Sequence, residues 1–264
     1  MSLLDTKKQY HINTDENDIG KYVILTGDPK RVERIAEHLD NPQKVAQNRE
    51  YTTFTGELLG VKVSVCSTGI GGPSAAIAVE ELIKCGAKTF IRVGTSGGMK
   101  ECVLGGDLVI ATSAIRSEGT SREYLPDGYP AVADFKVVSA LAEAAEELSD
   151  DTDGNRYHVG VVHSKDSFYG ETNPETMPQK KWLLENWESY LDCGCLTSEM
   201  ECAAIFSVSL ARDVKAGAVL TALWNVERAK TGEKNLMANG SERAIECAVL
   251  AMKKLILKDR EGRK

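Results

Sequence analysis

The sequence has fewer basic than acidic residues, and this imbalance excludes some classes of function. Among 264 residues, 32 Lys and Arg are outnumbered by 39 Asp and Glu, which gives a formal net charge of -7 and a pI near 5.3. So acidic a chain lacks a general surface for nucleic acid or for an anionic membrane, because both require a surplus of positive charge. Any anion site must therefore be local and built from a few cations.

Cysteine is too irregularly placed to build a disulfide framework. The seven cysteines are an odd number without repeating spacing, so we expect reduced thiols in a cytoplasmic enzyme. The close pair Cys193 and Cys195 has no second pair or adjacent His, which disfavours a zinc site. The sequence shows neither a signal-peptide pattern nor an apolar run of membrane-spanning length, so we expect a soluble protein that is not exported.

Short apolar strands alternate with helices, without a long linker, a low-complexity tract or a repeat. This alternation predicts one α/β domain over residues 1–264, a three-layer α/β/α fold whose sheet is covered on both faces by helices. The predicted strands include Tyr22–Thr26, the hairpin Tyr51–Leu58 and Val61–Ser67, Leu108–Ile115, Tyr157–His163 and Val214–Asn225. The predicted helices include Ala75–Cys85, Asp134–Leu148, Cys202–Leu210 and Ser241–Leu257, with loops at Glu171–Pro178 and Glu227–Gly240.

Arg92 lies in a strongly apolar strand segment, and the glycine-rich run Gly94–Gly98 is predicted to end that strand. A buried guanidinium is costly unless an anion meets it. One interpretation is a structural arginine paired with a nearby carboxylate. The other is an anion site at the carboxyl end of a strand, where open α/β sheets bind ligands. Thr95 and Ser96 add hydroxyl donors at the same place.

Two other glycine-containing segments could approach a ligand. Gly27 lies between the first strand and a helix that begins at Pro29, and Arg31 lies in the first turn of that helix. The beginning of a helix beside an arginine is well suited to bind an anion. The alternative is an ordinary capped turn with a surface arginine. The loop Ser67–Ser74 is neither a dinucleotide fingerprint nor a Walker loop, and its glycines permit either close ligand approach or tight helix packing.

Two carboxylates, Glu199 and Glu201, lie two residues apart where a strand meets an apolar helix. They could stabilise the helix dipole, by roughly 0.3–1 kcal/mol each. They could also accept hydrogen bonds from the vicinal hydroxyls of a ribose. Taken alone, His11 is typical of a solvated tail and Arg49 of a surface charge paired with Glu50.

In combination, the segments GDPKR, STGIGGPS, RVGTSGG, YPAVADF and EMEC resemble the hexameric nucleoside phosphorylases, and within them the uridine phosphorylases. The resemblance runs from about His11 to the last helix. It implies a mixed sheet flanked by helices, a hexamer built from dimers, and reversible phosphorolysis of a ribonucleoside to the free base and ribose 1-phosphate. Such a reaction requires no metal ion or organic cofactor, since phosphate is a co-substrate.

The resemblance also implies roles for individual residues. By this resemblance, phosphate is bound by Gly27, Arg31, Arg92 and Thr95, with Arg49 supplied by a neighbouring subunit. Ribose is bound by Glu199, Met200 and Glu201, with His11 of the neighbour. The resemblance implies that Arg92, Arg31 and Glu201 are the catalytic residues. The base is bound by Gly97, Phe168, Glu171, Thr176 and Arg228. Glu50, Ile70 and Ser74 match positions where a monovalent cation such as potassium can sit at the dimer contact.

The base-reading positions depart from the uridine-specific pattern. That pattern has a Gln and an Arg after the Phe-Tyr-Gly stretch, where this chain is assigned Glu171 and Thr176. Purine-specific members place an Asp after the last strand, where this chain has Val226 and Glu227. We therefore predict phosphorolysis, with uridine as the substrate. A purine nucleoside phosphorylase, a hydrolytic nucleosidase of the same fold and a non-catalytic binding or storage protein are the alternatives.

Overall fold

The computed structural model describes residues 7–262. The strands are β1 (Tyr22–Thr26), β2 (Asp40–Asn48), β3 (Tyr51–Leu58), β4 (Val61–Ser67), β5 (Thr89–Gly98), β6 (Leu108–Ser117), β7 (Ala131–Val132), β8 (Tyr157–Lys165), β9 (Thr197–Glu199) and β10 (Lys215–Asn225). The helices are α1 (Pro29–Ala36), α2 (Gly72–Lys84), α3 (Phe135–Glu147), α4 (Phe168–Thr172), α5 (Lys180–Asp192), α6 (Cys202–Ala211), α7 (Val226–Thr231) and α8 (Glu242–Glu261), with 3-10 turns at Thr120–Glu123 and Pro174–Thr176. In this part of the chain, every helix is too short or too polar to cross a lipid bilayer.

The described strands form one mixed sheet, which confirms the predicted fold class. The strand order is β10-β6-β8-β9-β5-β1-β4-β3-β2, and β7 pairs with β6. Because β10 pairs with β5 as well as with β6, the strands β10, β6, β8, β9 and β5 close into a ring. The strands β1, β4, β3 and β2 extend from β5 as an open sheet, in which β1 runs parallel to both β5 and β4.

Helices cover both faces of the sheet, and the side chains of β5 pack against helices on each face. Side chains of a strand alternate between the two faces. Phe90 belongs to the core cluster that includes α2 and α6. Ile91 and Val93 belong to the cluster that includes α1, α3 and α8. By this alternation Arg92 shares the face of Phe90, and its guanidinium lies near the beginning of α6.

Three segments differ from the sequence-based prediction. The glycine run does not end β5, because its backbone pairs with β10 through Gly98 and with β9 at Gly97 and Gly98. The strand β2 was not predicted, since it is an exposed, polar sheet edge that contains Pro42. The two predicted loops contain the end of α4, a 3-10 turn and most of α7.

Candidate active site

A cleft of about 720 Å³ opens at the carboxyl ends of β1 and β5. These two parallel strands are in register from Tyr22 beside Thr89 to Thr26 beside Val93, so the residues that follow them meet at one edge of the sheet. Of the residues that the sequence assigned to the site, the lining includes Gly27, Arg31, Glu50, Ile70, Ser74, Arg92, Thr95, Gly97, Phe168, Glu171, Glu199, Met200 and Glu201. The fold therefore gathers most of the predicted site in one place.

Arg92 is buried at the base of this cleft and uses only one side of its guanidinium on the protein. Its Nη2 donates to Glu201 and lies 3.2 Å from Oε2 of Glu199. Within residues 7–262 its Nε and Nη1 are buried without a hydrogen-bond partner. The structure shows the ion pair of the first interpretation at Nη2, and the N–H donors at Nε and Nη1 are those that an anion, the second interpretation, would use. Guanidinium N–H groups are donors well suited to phosphate oxygens.

The charges around Arg92 are strongly coupled. Burial alone would lower the pKa of Arg92, but the carboxylates of Glu201 and Glu199 raise it above its ordinary value. Burial raises the pKa of Glu201, and the guanidinium of Arg92 opposes that rise. Arg92 consequently stays protonated and can hold an anion at all physiological pH values.

Arg31 supplies a second cation from α1. Asp28 caps this helix by accepting a hydrogen bond of 2.9 Å from the amide of Lys30, and Pro29 begins it. The guanidinium of Arg31 donates to Oγ1 of Thr26 at 3.0 Å, which turns it toward the sheet. Burial and the positive charge of Arg92 lower the pKa of Arg31, as expected where two guanidiniums face one site.

Glu199 and Glu201 have separate tasks. Glu199 accepts hydrogen bonds from the amides of Glu201 and Cys202 at the beginning of α6, and also from Ser164. The helix-start interpretation therefore describes Glu199 well. Glu201 instead accepts a hydrogen bond of 2.6 Å from the amide of Gly71, in the glycine-rich loop, and it lines the cleft beside Met200.

Neither His11 nor Arg49, both in the described part of the chain, lines this cleft. The imidazole of His11 lies 2.7 Å from Oε1 of Glu81. Oε2 of Glu81 accepts hydrogen bonds from the amides of His11 and Ile12. Arg49 is exposed in the turn between β2 and β3, with a left-handed backbone φ of 53° that side-chain-bearing residues seldom adopt. Neither side chain therefore lines the cleft of its own chain.

The predicted cation residues lie together at one side of the cleft. Oγ of Ser74 lies 2.9 Å from Oε1 of Glu50 and 2.5 Å from the carbonyl oxygen of Thr68. Ile70 is 76% exposed and lines the same cleft. Oxygen ligands of this type suit a hard cation. Within residues 7–262, no cluster of three or more His, Cys, Asp or Glu side chains is arranged to hold a metal ion.

Two of the predicted base-reading residues lie outside the cleft. Thr176 ends a 3-10 turn, where its hydroxyl donates to the carbonyl of Asn173 at 2.8 Å, while Thr172 lines the cleft instead. The guanidinium of Arg228 donates to the backbone carbonyls of Glu101 and Lys234, so it secures two loops. Of the residues predicted to contact the base, Gly97, Phe168 and Glu171 line the cleft.

A second cavity of about 650 Å³ adjoins the cleft, and the two share Lys165, Glu171, Thr172 and Trp224. The sequence interpretation gave no role to Lys165 or Ser198. Lys165 directly follows His163 and Ser164 at the end of β8, so its position at a strand end was the available signal. Burial and the ammonium group of Lys165 lower the pKa of His163 to about 4, so this imidazole is neutral at neutral pH.

Comparison with known proteins decides the family. The sequence model of the phosphorylase superfamily matches residues 21–256. The chain belongs to the phosphorylase superfamily. This membership confirms the resemblance found in the sequence.

Three relatives of this superfamily cover most of the chain. A uridine phosphorylase of Treponema pallidum is 52% identical over 96% of both chains. A uridine phosphorylase of Escherichia coli is 36% identical over 94% of this chain and 98% of its own. A guanosine phosphorylase of Halorubrum lacusprofundi is 40% identical over 81% of this chain and 82% of its own. Relatives in the superfamily thus bear the names of both pyrimidine and purine nucleosides.

Proposed function

We propose that this protein is a uridine phosphorylase, which converts uridine and phosphate to uracil and ribose 1-phosphate. The observation that carries the proposal is Arg92, whose Nε and Nη1 are buried at the cleft without a partner in residues 7–262, beside Arg31 and Thr95. The extensive identity with two uridine phosphorylases supports uridine as the nucleoside.

The proposed reaction is an attack of bound phosphate on the anomeric carbon. Arg92 and Arg31, with the backbone of Gly27 and the hydroxyl of Thr95, would hold the dianion below the sugar. Glu201, with Met200, would hold the ribose hydroxyls. As the glycosidic bond lengthens, the ribose gains oxocarbenium character, and the phosphate dianion stabilises that charge. Catalysis in this scheme comes from positioning and electrostatics.

The proposed site is completed by a neighbouring subunit in a hexamer made of dimers. His11 and Arg49 do not line the cleft of their own chain, which supports their use by a neighbour. Arg49 would add a third guanidinium to the phosphate, and His11 would reach the 5′-hydroxyl of the ribose. In this arrangement the isolated subunit has an incomplete active site.

The proposal includes no organic cofactor or catalytic metal, since phosphate is the second substrate. A potassium ion at Glu50, Ile70 and Ser74 of the dimer contact would be structural. We place the enzyme in the cytoplasm, where the cysteines stay reduced.

The test is a panel of nucleosides assayed with and without phosphate. We expect uridine cleavage that requires phosphate and saturates with it, with equal amounts of uracil and ribose 1-phosphate. Cleavage that proceeds equally well without phosphate would identify a hydrolytic nucleosidase. A purified protein that binds nucleosides but cleaves none under either condition would identify a binding protein.

A further inference from the structure

A buried polar cluster lies at the junction of the cleft and the second cavity. Lys165 Nζ lies 3.0 Å from Oε2 of Glu171 and donates to Oγ of Ser198 at 2.8 Å. The hydroxyl of Ser198 donates to the same Oε2 of Glu171 and lies 3.3 Å from Nδ1 of His163. The side chains of Lys165 and Glu171 are only 10% and 8% exposed. Three separate elements, β8, α4 and β9, converge to build this cluster.

The cluster leaves donor and acceptor capacity for a ligand. An ammonium group has three hydrogens, and Lys165 donates one of them to Ser198 while its charge lies 3.0 Å from Oε2 of Glu171. In the described part of the chain, the contacts to Glu171 all fall on Oε2, so Oε1 has no partner. Because Lys165 and Glu171 both line the cleft and the cavity, a remaining hydrogen and the remaining oxygen are available to a bound base.

We propose that Lys165 and Glu171 together read the base, and that they select a base with a carbonyl next to a ring N–H. Lys165 donates to the carbonyl oxygen, while Oε1 of Glu171 accepts the N–H. This inference rests on the proposed function and names the specificity-determining pair within it. Lys165 thereby supplies a cation for the base, where the uridine-specific pattern has an Arg and this chain was assigned Thr176.

The chemistry of the pair decides which nucleosides fit. Uracil and hypoxanthine both present a carbonyl beside an N–H. Cytosine and adenine present an amino donor beside a ring-nitrogen acceptor, which would place donor against ammonium and acceptor against carboxylate. A site built to hydrogen-bond one pattern rejects the reverse pattern strongly, because its buried groups are left unpaired. The adjoining cavity leaves room for a larger base, so the pair selects an edge pattern and not a ring size.

Lys165 also acts on the reacting base. When the C1′–N bond breaks, its electron pair moves onto the base and is shared with the carbonyl oxygens, as a phosphate oxygen bonds to C1′. The proton of HPO₄²⁻ ends on the base, so that uridine and HPO₄²⁻ give uracil and ribose 1-phosphate dianion. Lys165 keeps its proton and stabilises the developing negative charge through its hydrogen bond. Its removal should therefore lower kcat as well as raise KM for the nucleoside.

The test compares the native enzyme with Lys165→Met on uridine, cytidine, inosine and adenosine at saturating phosphate. Lys180→Met is the matched control, because Lys180 is exposed at the start of α5 and lines neither cavity. We expect native kcat/KM for uridine to exceed that for cytidine by about 100-fold or more, and inosine to be cleaved in preference to adenosine. Lys165→Met should lose about tenfold or more on uridine, with the uridine-to-cytidine ratio reduced and the phosphate KM unchanged.

A double variant, Lys165→Met with Glu171→Gln, guards against loss of folding, because it removes both buried charges together. It should show the same reduced ratio. A native ratio that persists in either folded variant overturns the inference, as does a native enzyme that cleaves cytidine as well as uridine. In both cases phosphate-dependent cleavage of uridine still supports the proposed function. An enzyme that cleaves no nucleoside with phosphate overturns both.

Discussion

At the scale of single residues, Arg92 carries more of the proposed function than any other side chain. Replacing it with Ala removes two buried donors and leaves Glu201 and Glu199 without their counter-charge. We expect the transition state to lose about 2–4 kcal/mol, measured as a fall in kcat/KM for phosphate. The control is Arg212→Ala, whose guanidinium pairs with Glu80 at the surface. Near-normal phosphate kinetics in Arg92→Ala would refute its assignment.

Gly94 is needed because the guanidinium of Arg92 folds back over it. A Cβ at position 94 would lie 2.9 Å from Nη2 of Arg92 and 2.7 Å from Cδ2 of Leu220. Gly94→Ala should therefore displace the guanidinium and lower kcat/KM for phosphate by about 10- to 100-fold, while the protein still folds. Gly119→Ala is a suitable control, since its Cβ would meet only Asp166 at an ordinary 3.8 Å. Equal kinetics in the two variants would contradict this account of Gly94.

The sequence was sufficient to identify a candidate site residue when one segment alone showed both its chemical character and its position in the fold. Arg92 was identifiable because a charge in an apolar strand needs an anion. Lys165 was missed because its partners come from α4 and β9, which the sequence does not place beside β8. For the same reason the different tasks of Glu199 and Glu201 could not be separated, as they depend on which amides each carboxylate reaches.

At the scale of elements, the sequence predicted those with strong periodicity. The helix α3 was expected over Asp134–Leu148 and extends over Phe135–Glu147, because its apolar residues recur on one face and Asp134 caps it. Elements stabilised by long-range pairing were missed or shortened. The glycine run of β5 has no intrinsic strand preference, and it is extended only because β10 and β9 pair with it.

The closing helix α8 is tied to β1 through Asp259, and this contact predicts a pH dependence of stability. Oδ2 of Asp259 accepts hydrogen bonds from Tyr22 at 2.6 Å and from Lys21 at 2.8 Å. Burial alone would raise the pKa of Asp259, but these two donors lower it below 3.8. Its contribution is then present above pH 3.8 and is lost as the pH falls through the lower, folded-state pKa.

Asp259→Asn should accordingly lower the free energy of unfolding by about 1–2 kcal/mol at pH 7. The difference from the native protein should shrink as the pH falls below 3.8. Denaturant titrations at several pH values measure it, with Asp192→Asn at the exposed end of α5 as the control. A loss of stability that does not change with pH would contradict the assignment of this contribution to the ionised carboxylate.

At the scale of the whole molecule, the proposal requires active sites that are shared between subunits. Arg49→Ala and Arg92→Ala chains should each be nearly inactive, because each spoils every phosphate site. When the two are mixed and allowed to exchange subunits, hybrid sites with an intact Arg49 and an intact Arg92 should form and restore part of the activity. The control is each variant taken alone through the same exchange. Mixed oligomers that are detected by native mass spectrometry yet stay inactive would exclude sharing.

The central claim is that a phosphate oxygen held by Arg92 and Arg31 attacks the anomeric carbon of uridine. The most direct test supplies phosphate labelled with ¹⁸O at every oxygen and identifies the sugar product by mass spectrometry. We expect ribose 1-phosphate that keeps all of the label, including the oxygen bonded to C1′, in amounts equal to the uracil released. Unlabelled free ribose carrying an oxygen from water, formed without consumption of phosphate, would contradict it.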